Sequence, residues 1–210
     1  MIGSELLRYS DKKIVLFDLE TQRVNIMGDN LPFQCSWIVC DKYKVLSRNN
    51  YYLKWPGFTM SKGAAAITRF QQSWVDNGDD PEFVLKAFES YLMDPSFLIV
   101  GHNLLGFDVY VHQLWRETLG LKRDFSYLSR IIDTNLIARA YKMGWKPDKT
   151  DFLAWQYKVM SNPVKGVKTN LAQLNKDFQI GVNESNLHNA AADLELNFAV
   201  YRKLIGLVEV

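Results

Sequence analysis

Cysteine is nearly absent from this chain: Cys35 and Cys40 are the only two among 210 residues. They stand five apart in the strand-like stretch QCSWIVC, and the odd spacing turns them to opposite faces of a strand. That argues against a disulfide or a paired thiolate metal site, and both read as buried reduced thiols of a cytosolic protein. Long apolar runs are missing too. No stretch approaches the length needed to cross a bilayer, and MIGSELLRYSDKK at the start has no apolar core ahead of a cleavage site, so the expectation is a soluble cytoplasmic protein. Charge of one sign is also lacking, since 25 Lys and Arg face 23 Asp and Glu for a net +2, too little to name a partner by itself. There is no internal repeat and no low-complexity tract. What remains is an ordinary globular composition, 48% hydrophobic and 13% aromatic, in a length that fits one domain over residues 1–210 with a sizeable core.

The distribution of charge says more than its sum. Residues 139–168 carry Arg139, Lys142, Lys146, Lys149, Lys158, Lys165 and Lys168 against Asp148 and Asp151, a local +5 that leaves −3 for the rest. Trp145, Trp155 and Tyr157 lie in the same stretch. Lysines steer phosphates and aromatic rings stack on bases, which makes this segment a candidate wall of a nucleic-acid groove. Phe152, Trp155 and Val159 also fall at helical spacing, and the alternative is that they are core beneath a solvated lysine face.

Three strand-like runs come first, at 13–19, 34–41 and 44–54, the last two joined as a hairpin across Asp41, Lys42 and Tyr43. A helix is expected near 62–76. The next starts with Asp80 as N-cap, Pro81 and Glu82, and carries Phe83, Leu85, Phe88, Tyr91 and Leu92 at roughly helical spacing up to Asp94-Pro95. FLIVGHN, 97–103, reads as a buried strand and 107–120 as the helix after it. Further helices are expected at 134–142, 150–160, 169–178 and 189–205. Strands followed by alternating strands and helices indicate an α/β domain with a mixed central sheet.

Acidic residues interrupt this pattern in three places. In KIVLFDLETQ the apolar run Ile14 to Phe17 reads as a buried strand. If it continues to Glu20, Asp18 and Glu20 share one face with Leu19 opposed between them. Crowded carboxylates are tolerated when a hard cation such as Mg²⁺ or Mn²⁺ sits between them; the alternative is that the strand has ended and both acids are solvated in a turn. In GHNLLGFDVY, Asp108 falls at the start of a helix, where the free amides favour its charge, either as a cap or as a ligand. In LHNAAADLELN, His188 precedes Asp193 by five residues. Five helical residues rotate by about 500°, which leaves the two side chains about 140° apart. For them to meet, His188 must lie ahead of the helix while Asp193 points from its body. A partly exposed histidine there suits proton abstraction from water, and an exposed histidine at a helix start is the bland alternative.

Taken in order, D-x-E at Asp18 and Glu20, N-x-x-x-F-D at Asn103 to Asp108 and H-x-x-x-x-D at His188 to Asp193 resemble the DEDDh branch of the DnaQ-like 3′-5′ exonuclease superfamily. Ala66-Ile67-Thr68, the Asp-Pro-Glu helix start, IVGHN, Ile132-Asp133-Thr134 and TNLAQLNKDFQI fall where that family has similar segments, so the resemblance spans about residues 13–205. It implies an RNase H-like fold with a mixed central sheet flanked by helices. It also implies that Asp18, Glu20, Asp108 and Asp193 hold two divalent ions, Mg²⁺ or Mn²⁺, and that His188 is the general base. Leu19, Thr21, His102, Asn103 and Phe107 flank the acids where family members contact the terminal nucleotide. Asp133 reads better as a helix cap than as a fifth ligand.

The activity implied is hydrolysis of single-stranded DNA from its 3′ end to nucleoside 5′-monophosphates. RNases of the same family use the same acids, so an exoribonuclease is the alternative; a catalytically silent nucleic-acid-binding module is another, disfavoured because none of the acids is missing. Proofreading relatives often carry a docking tail for a polymerase or sliding clamp. None is readable after the last expected helix, which favours a free-standing enzyme or a replication or repair partner that binds the folded surface.

Overall fold

The computed structural model describes residues 10–26, 30–41, 44–182 and 190–209. Its centre is a five-stranded sheet built from β1 (Ile14–Thr21), β2 (Pro32–Cys40), β3 (Val45–Tyr52), β4 (Leu98–Gly101) and β5 (Ile131–Asp133), in the order β3-β2-β1-β4-β5. β1 pairs antiparallel with β2 and parallel with β4, and β4 pairs parallel with β5. Ile14 to Phe17 are all buried, as expected of a central strand covered on both faces. β3 alternates between half-buried and exposed positions, the pattern of a sheet edge.

Two helical layers follow from the alternation along β1. Phe17 is paired with Trp37, and both meet Phe88 of α3 (Pro81–Leu92), at ring separations of 5.0 and 5.6 Å. α4 (Asp108–Thr118) is on the same side, where His112 binds Glu89 of α3. The opposite face, to which Asp18 and Glu20 point, is covered by α8 (Ala190–Leu207), with α5 (Thr134–Met143), α6 (Phe152–Met160) and α7 (Leu171–Asp177) packed around it.

The helix starts follow local chemistry. Asp80 caps α3 by accepting from the Glu82 and Phe83 amides, both at 2.9 Å, with Pro81 at the first position where its missing N–H is harmless. α5 ends on Gly144 at φ 67°, a left-handed cap that glycine adopts without strain.

Several expectations are corrected in detail. The helix expected over 62–76 is two, α1 (Lys62–Thr68) and α2 (Gln72–Asp76), because Arg69 turns left-handed at φ 55°. That break turns Phe70 onto Phe33 and Phe58, with ring centroids at 5.1 and 5.8 Å, and burial of a ring outweighs continuity of a short helix. The strand expected over 97–103 stops at Gly101, since Asn103 is left-handed at φ 68° and opens a 3₁₀ turn, Leu104–Gly106. β5 was not foreseen; at three residues it is too short to show a period. Lys42 and Tyr43 of the expected hairpin lie outside the described residues, while the antiparallel pairing of β2 and β3 is present. Cys35 and Cys40 are both buried free thiols. Among the described residues, no helix is long and apolar enough to cross a membrane.

Candidate active site

The acids gather where the three mutually parallel strands end, the edge at which open α/β sheets place their sites. Asp18 and Glu20 project from the last turn of the pleat of β1, one on either side of Leu19, and Asp193 reaches them from the first turn of α8. One carboxylate oxygen from each of Asp18, Glu20 and Asp193 lies within 4.8 Å of the others. Asp108 arrives from the other helical layer. Its Oδ1 accepts the Leu19 backbone N–H at 3.0 Å, so the start of α4 is tied to the residue between the two strand acids. This contact was not legible in the sequence, since it joins residues 89 apart.

Crowding and burial show in the acidities. Asp18 is held well above the usual carboxylate range by burial, then by the charges of Asp108, Glu20 and Asp193. Glu20 is pushed up to about 7 by burial and by Asp193. Asp108 is raised by burial, although the Leu19 N–H pulls the other way. Neutral at their shifted values or charged only with compensation, these groups form an all-oxygen set that fits a hard divalent cation. Cys35 is not part of that set: burial, with Asp18 and Asp108 nearby, holds its thiol well above its ordinary value, so it stays protonated.

A fifth acid has a different task. Asp133 ends β5 and accepts from the amides of Asn103 and Leu105 at 2.9 and 3.1 Å and of Asn135 and Leu136 at 3.0 and 3.4 Å. It therefore caps α5, as expected, and also shapes the turn that leads to Asp108. On the sheet edge behind it, Gln156 of α6 stands in for a missing strand: its Oε1 accepts the Asp133 N–H at 2.8 Å and its Nε2 donates to the Ile131 carbonyl at 3.0 Å.

The flanking residues are placed as follows. Leu19 is buried in the core. The Thr21 hydroxyl donates to the Arg23 carbonyl at 2.6 Å and so closes the turn after β1. Asn103 is exposed, and Phe107 is half-buried against the core. His102 is half-buried, with Nδ1 3.0 Å from the Thr134 hydroxyl; the ring also binds the Thr169 backbone, and burial pushes its pKa down to about 4. Thr134 in turn donates to Asn197 Oδ1 at 2.7 Å. Asn197 follows Asp193 by one turn of α8, so this link ties the helix bearing Asp193 to the start of α5, and the four-residue spacing is the one sequence signal that could have flagged it. His188 lies outside the described residues.

The sheet order defines an α/β domain with a mixed five-stranded sheet flanked by helices, and the acids sit at its strand ends. At the level of sequence, no family model and no curated protein matches the chain. Solved structures do. E. coli exonuclease I in complex with a dA16 oligonucleotide superposes with a TM-score of 0.72 at 19% identity, covering 93% of this chain and 42% of that one. The zinc-bound form of the E. coli exonuclease I complex with single-stranded DNA gives 0.71 at 19%, over 92% and 40%, and a complex of exonuclease I with SSB-Ct gives 0.68 at 18%, over 94% and 43%. The fold is that of exonuclease I, and the chain spans about 42% of the length of the first of these neighbours.

Proposed function

We propose that this chain is a metal-dependent 3′-5′ exonuclease domain of the DEDDh type that hydrolyses single-stranded DNA from its 3′ end to nucleoside 5′-monophosphates. The convergence of Asp18, Glu20 and Asp193, with Asp108 tied to Leu19 beside them, carries this reading. It is supported by a fold shared with an exonuclease crystallised on DNA oligonucleotides.

Asp18, Glu20, Asp108 and Asp193 would hold two divalent ions, Mg²⁺ or Mn²⁺, the cations suited to all-carboxylate ligands. Bound there, such ions would supply Lewis-acid activation of a water and neutralisation of developing negative charge. The chain's own groups do the rest. Their burial at the strand ends keeps the carboxylates from exchanging freely with solvent, and the Leu19 amide fixes one oxygen of Asp108. His188 accepts the proton of the attacking water, a role that matches its placement five residues before Asp193. Asn103, which is exposed, and Phe107 border the terminal nucleotide; Leu19, Thr21 and His102 shape that border from beneath.

Residues 1–210 act as one catalytic domain in this scheme. A replication or repair partner, a polymerase included, would bind its folded surface; one exonuclease I neighbour is in complex with SSB-Ct. Asp18→Ala tests the assignment: mononucleotide release should be abolished with the fold retained by circular dichroism, and an undiminished rate would sink it. Matched DNA and RNA strands assayed in parallel decide between the deoxyribonuclease and the exoribonuclease.

A further inference from the structure

The basic aromatic segment is only partly absorbed by the core. Phe152, Trp155 and Val159 are buried, which settles their helical spacing as packing. Trp145 is different. It is half-buried and separates two adjoining grooves of about 550 and about 510 Å³, sizes typical of ligand clefts. Lys146 borders both, and the Lys158 ammonium lies 6.0 Å over the Trp145 ring.

Resting on the function proposed above, we infer that the Trp145 groove is a second nucleotide subsite, which stacks a base of the single strand several residues upstream of the terminus held at the acid cluster. Four observations support it. First, an aromatic ring flanked by mobile cations fits a base and its phosphates, whichever base is presented. Second, two of the three acids bordering the grooves already serve the chain, Glu209 being the third: Asp148 accepts from the Thr150 amide and hydroxyl at 2.9 and 2.6 Å, and Asp151 caps α6 through the Ala154 amide at 3.0 Å. Lys146, Lys149 and Lys158 are all exposed there.

Third, aromatic groups lead there from the site. Tyr110, 39% exposed, lies two residues beyond Asp108 on α4. Burial, and then Tyr110, hold the Tyr157 hydroxyl above its ordinary pKa, and Tyr157 precedes Lys158 on α6. Fourth, the separation suits a strand. Leu207 borders the second groove, and on α8 it is displaced from Asp193 by about 21 Å at ~1.5 Å per residue. At ~3.4 Å per stacked nucleotide, that is about six nucleotides.

The test is fluorescence anisotropy of 5′-labelled DNA strands of about three and about twelve nucleotides, in Mg²⁺, on full-length protein carrying Asp18→Ala so that strands stay intact. Adding Trp145→Ala should weaken binding of the longer strand about 5- to 150-fold, the range for losing one stacked base, and leave the shorter one unchanged. Trp145→Phe should restore it. Lys146→Gln with Lys158→Gln, both exposed and foldable, should flatten the salt dependence for the longer strand alone. An equal loss on both lengths, or no loss on the longer one, overturns the subsite and leaves the groove to another occupant such as a protein segment. If wild-type protein shortens DNA yet shows no length-specific loss in the variants, the subsite alone fails. If wild-type protein neither binds nor shortens either strand, the exonuclease reading fails and takes the subsite with it.

Discussion

Substitution of Glu20 by Gln in metal-free protein probes the acid cluster without any assay of turnover. Glu20 is raised from 4.5 to about 7 in the folded state by burial and by Asp193. Because the folded value lies above the unfolded one, the folded protein holds the proton more tightly. The stability this gives is fully present below about pH 4.5 and is lost as pH rises through about 7. At about 1.36 kcal/mol per unit, the full shift is worth about 3 kcal/mol, of which about 2.5 kcal/mol disappears between pH 5 and pH 8. His102, pushed down to about 4, works in the opposite sense and weakens the fold as pH falls below about 6.5. It is common to both proteins and cancels in their difference.

Gln cannot ionise, so with chelator present Glu20→Gln should match the wild type below about pH 4.5, lie within about 1 kcal/mol of it near pH 5 and exceed it by about 3 kcal/mol near pH 8. The change of about 2.5 kcal/mol in that gap between pH 5 and pH 8 corresponds to roughly 5–10 °C in Tm for a chain of this size. With Mg²⁺ or Mn²⁺ the order should reverse, because the variant has lost a charged ligand while the wild type gains binding energy on the folded side. Differential scanning calorimetry over pH, with and without metal, reads all of this. A pH-independent difference, or a variant less stable than wild type at pH 8 in chelator, refutes the claim that burial and crowding dominate at Glu20.

His188→Ala should lower kcat by about 10² to 10⁴ if it is the general base, measured in single-turnover hydrolysis of DNA, and a smaller loss demotes it to a bystander. Gln156→Leu leaves the Asp133 amide and the Ile131 carbonyl buried without partners and should cost about 2–4 kcal/mol in urea denaturation; a loss under about 0.5 kcal/mol means that water replaces the side chain. Asp80→Ala removes the acceptor of two amides at the start of α3 and should cost about 0.5–2 kcal/mol, with DNA hydrolysis unaffected.

What the sequence made legible was local. The period of two put Asp18 and Glu20 on one face, and the structure brings those two carboxylates together with Asp193. The Asp80-Pro81-Glu82 start and the Asp133 cap are chemistry within three residues of the chain, and both occur where expected. What escaped was long-range or too short to have a period. Asp108 binding the Leu19 amide, Gln156 closing the edge of β5 and Thr134 joining Asn197 are single hydrogen bonds between distant residues, with no pattern to announce them. The break at Arg69 escaped for another reason. Helical propensity over 62–76 is adequate, and only the aromatic cluster around Phe33, built by three separate segments, makes turning Phe70 inward the better outcome. The basic segment shows both limits at once: its helical spacing correctly marked core, while Trp145, half-exposed beyond the end of α5, could be told apart from Trp155 only by its burial.

A gel time course on single strands labelled at the 5′ end or the 3′ end, in DNA and RNA versions, with Mg²⁺, with Mn²⁺ and with chelator, shows whether the chain removes nucleotides one by one from the 3′ end of DNA. The expected result is metal-dependent shortening of the 5′-labelled DNA as a ladder of single-nucleotide steps, with the 3′ label released at once. Internal cuts, release of the 5′ label first, or strands left whole with either metal would contradict it.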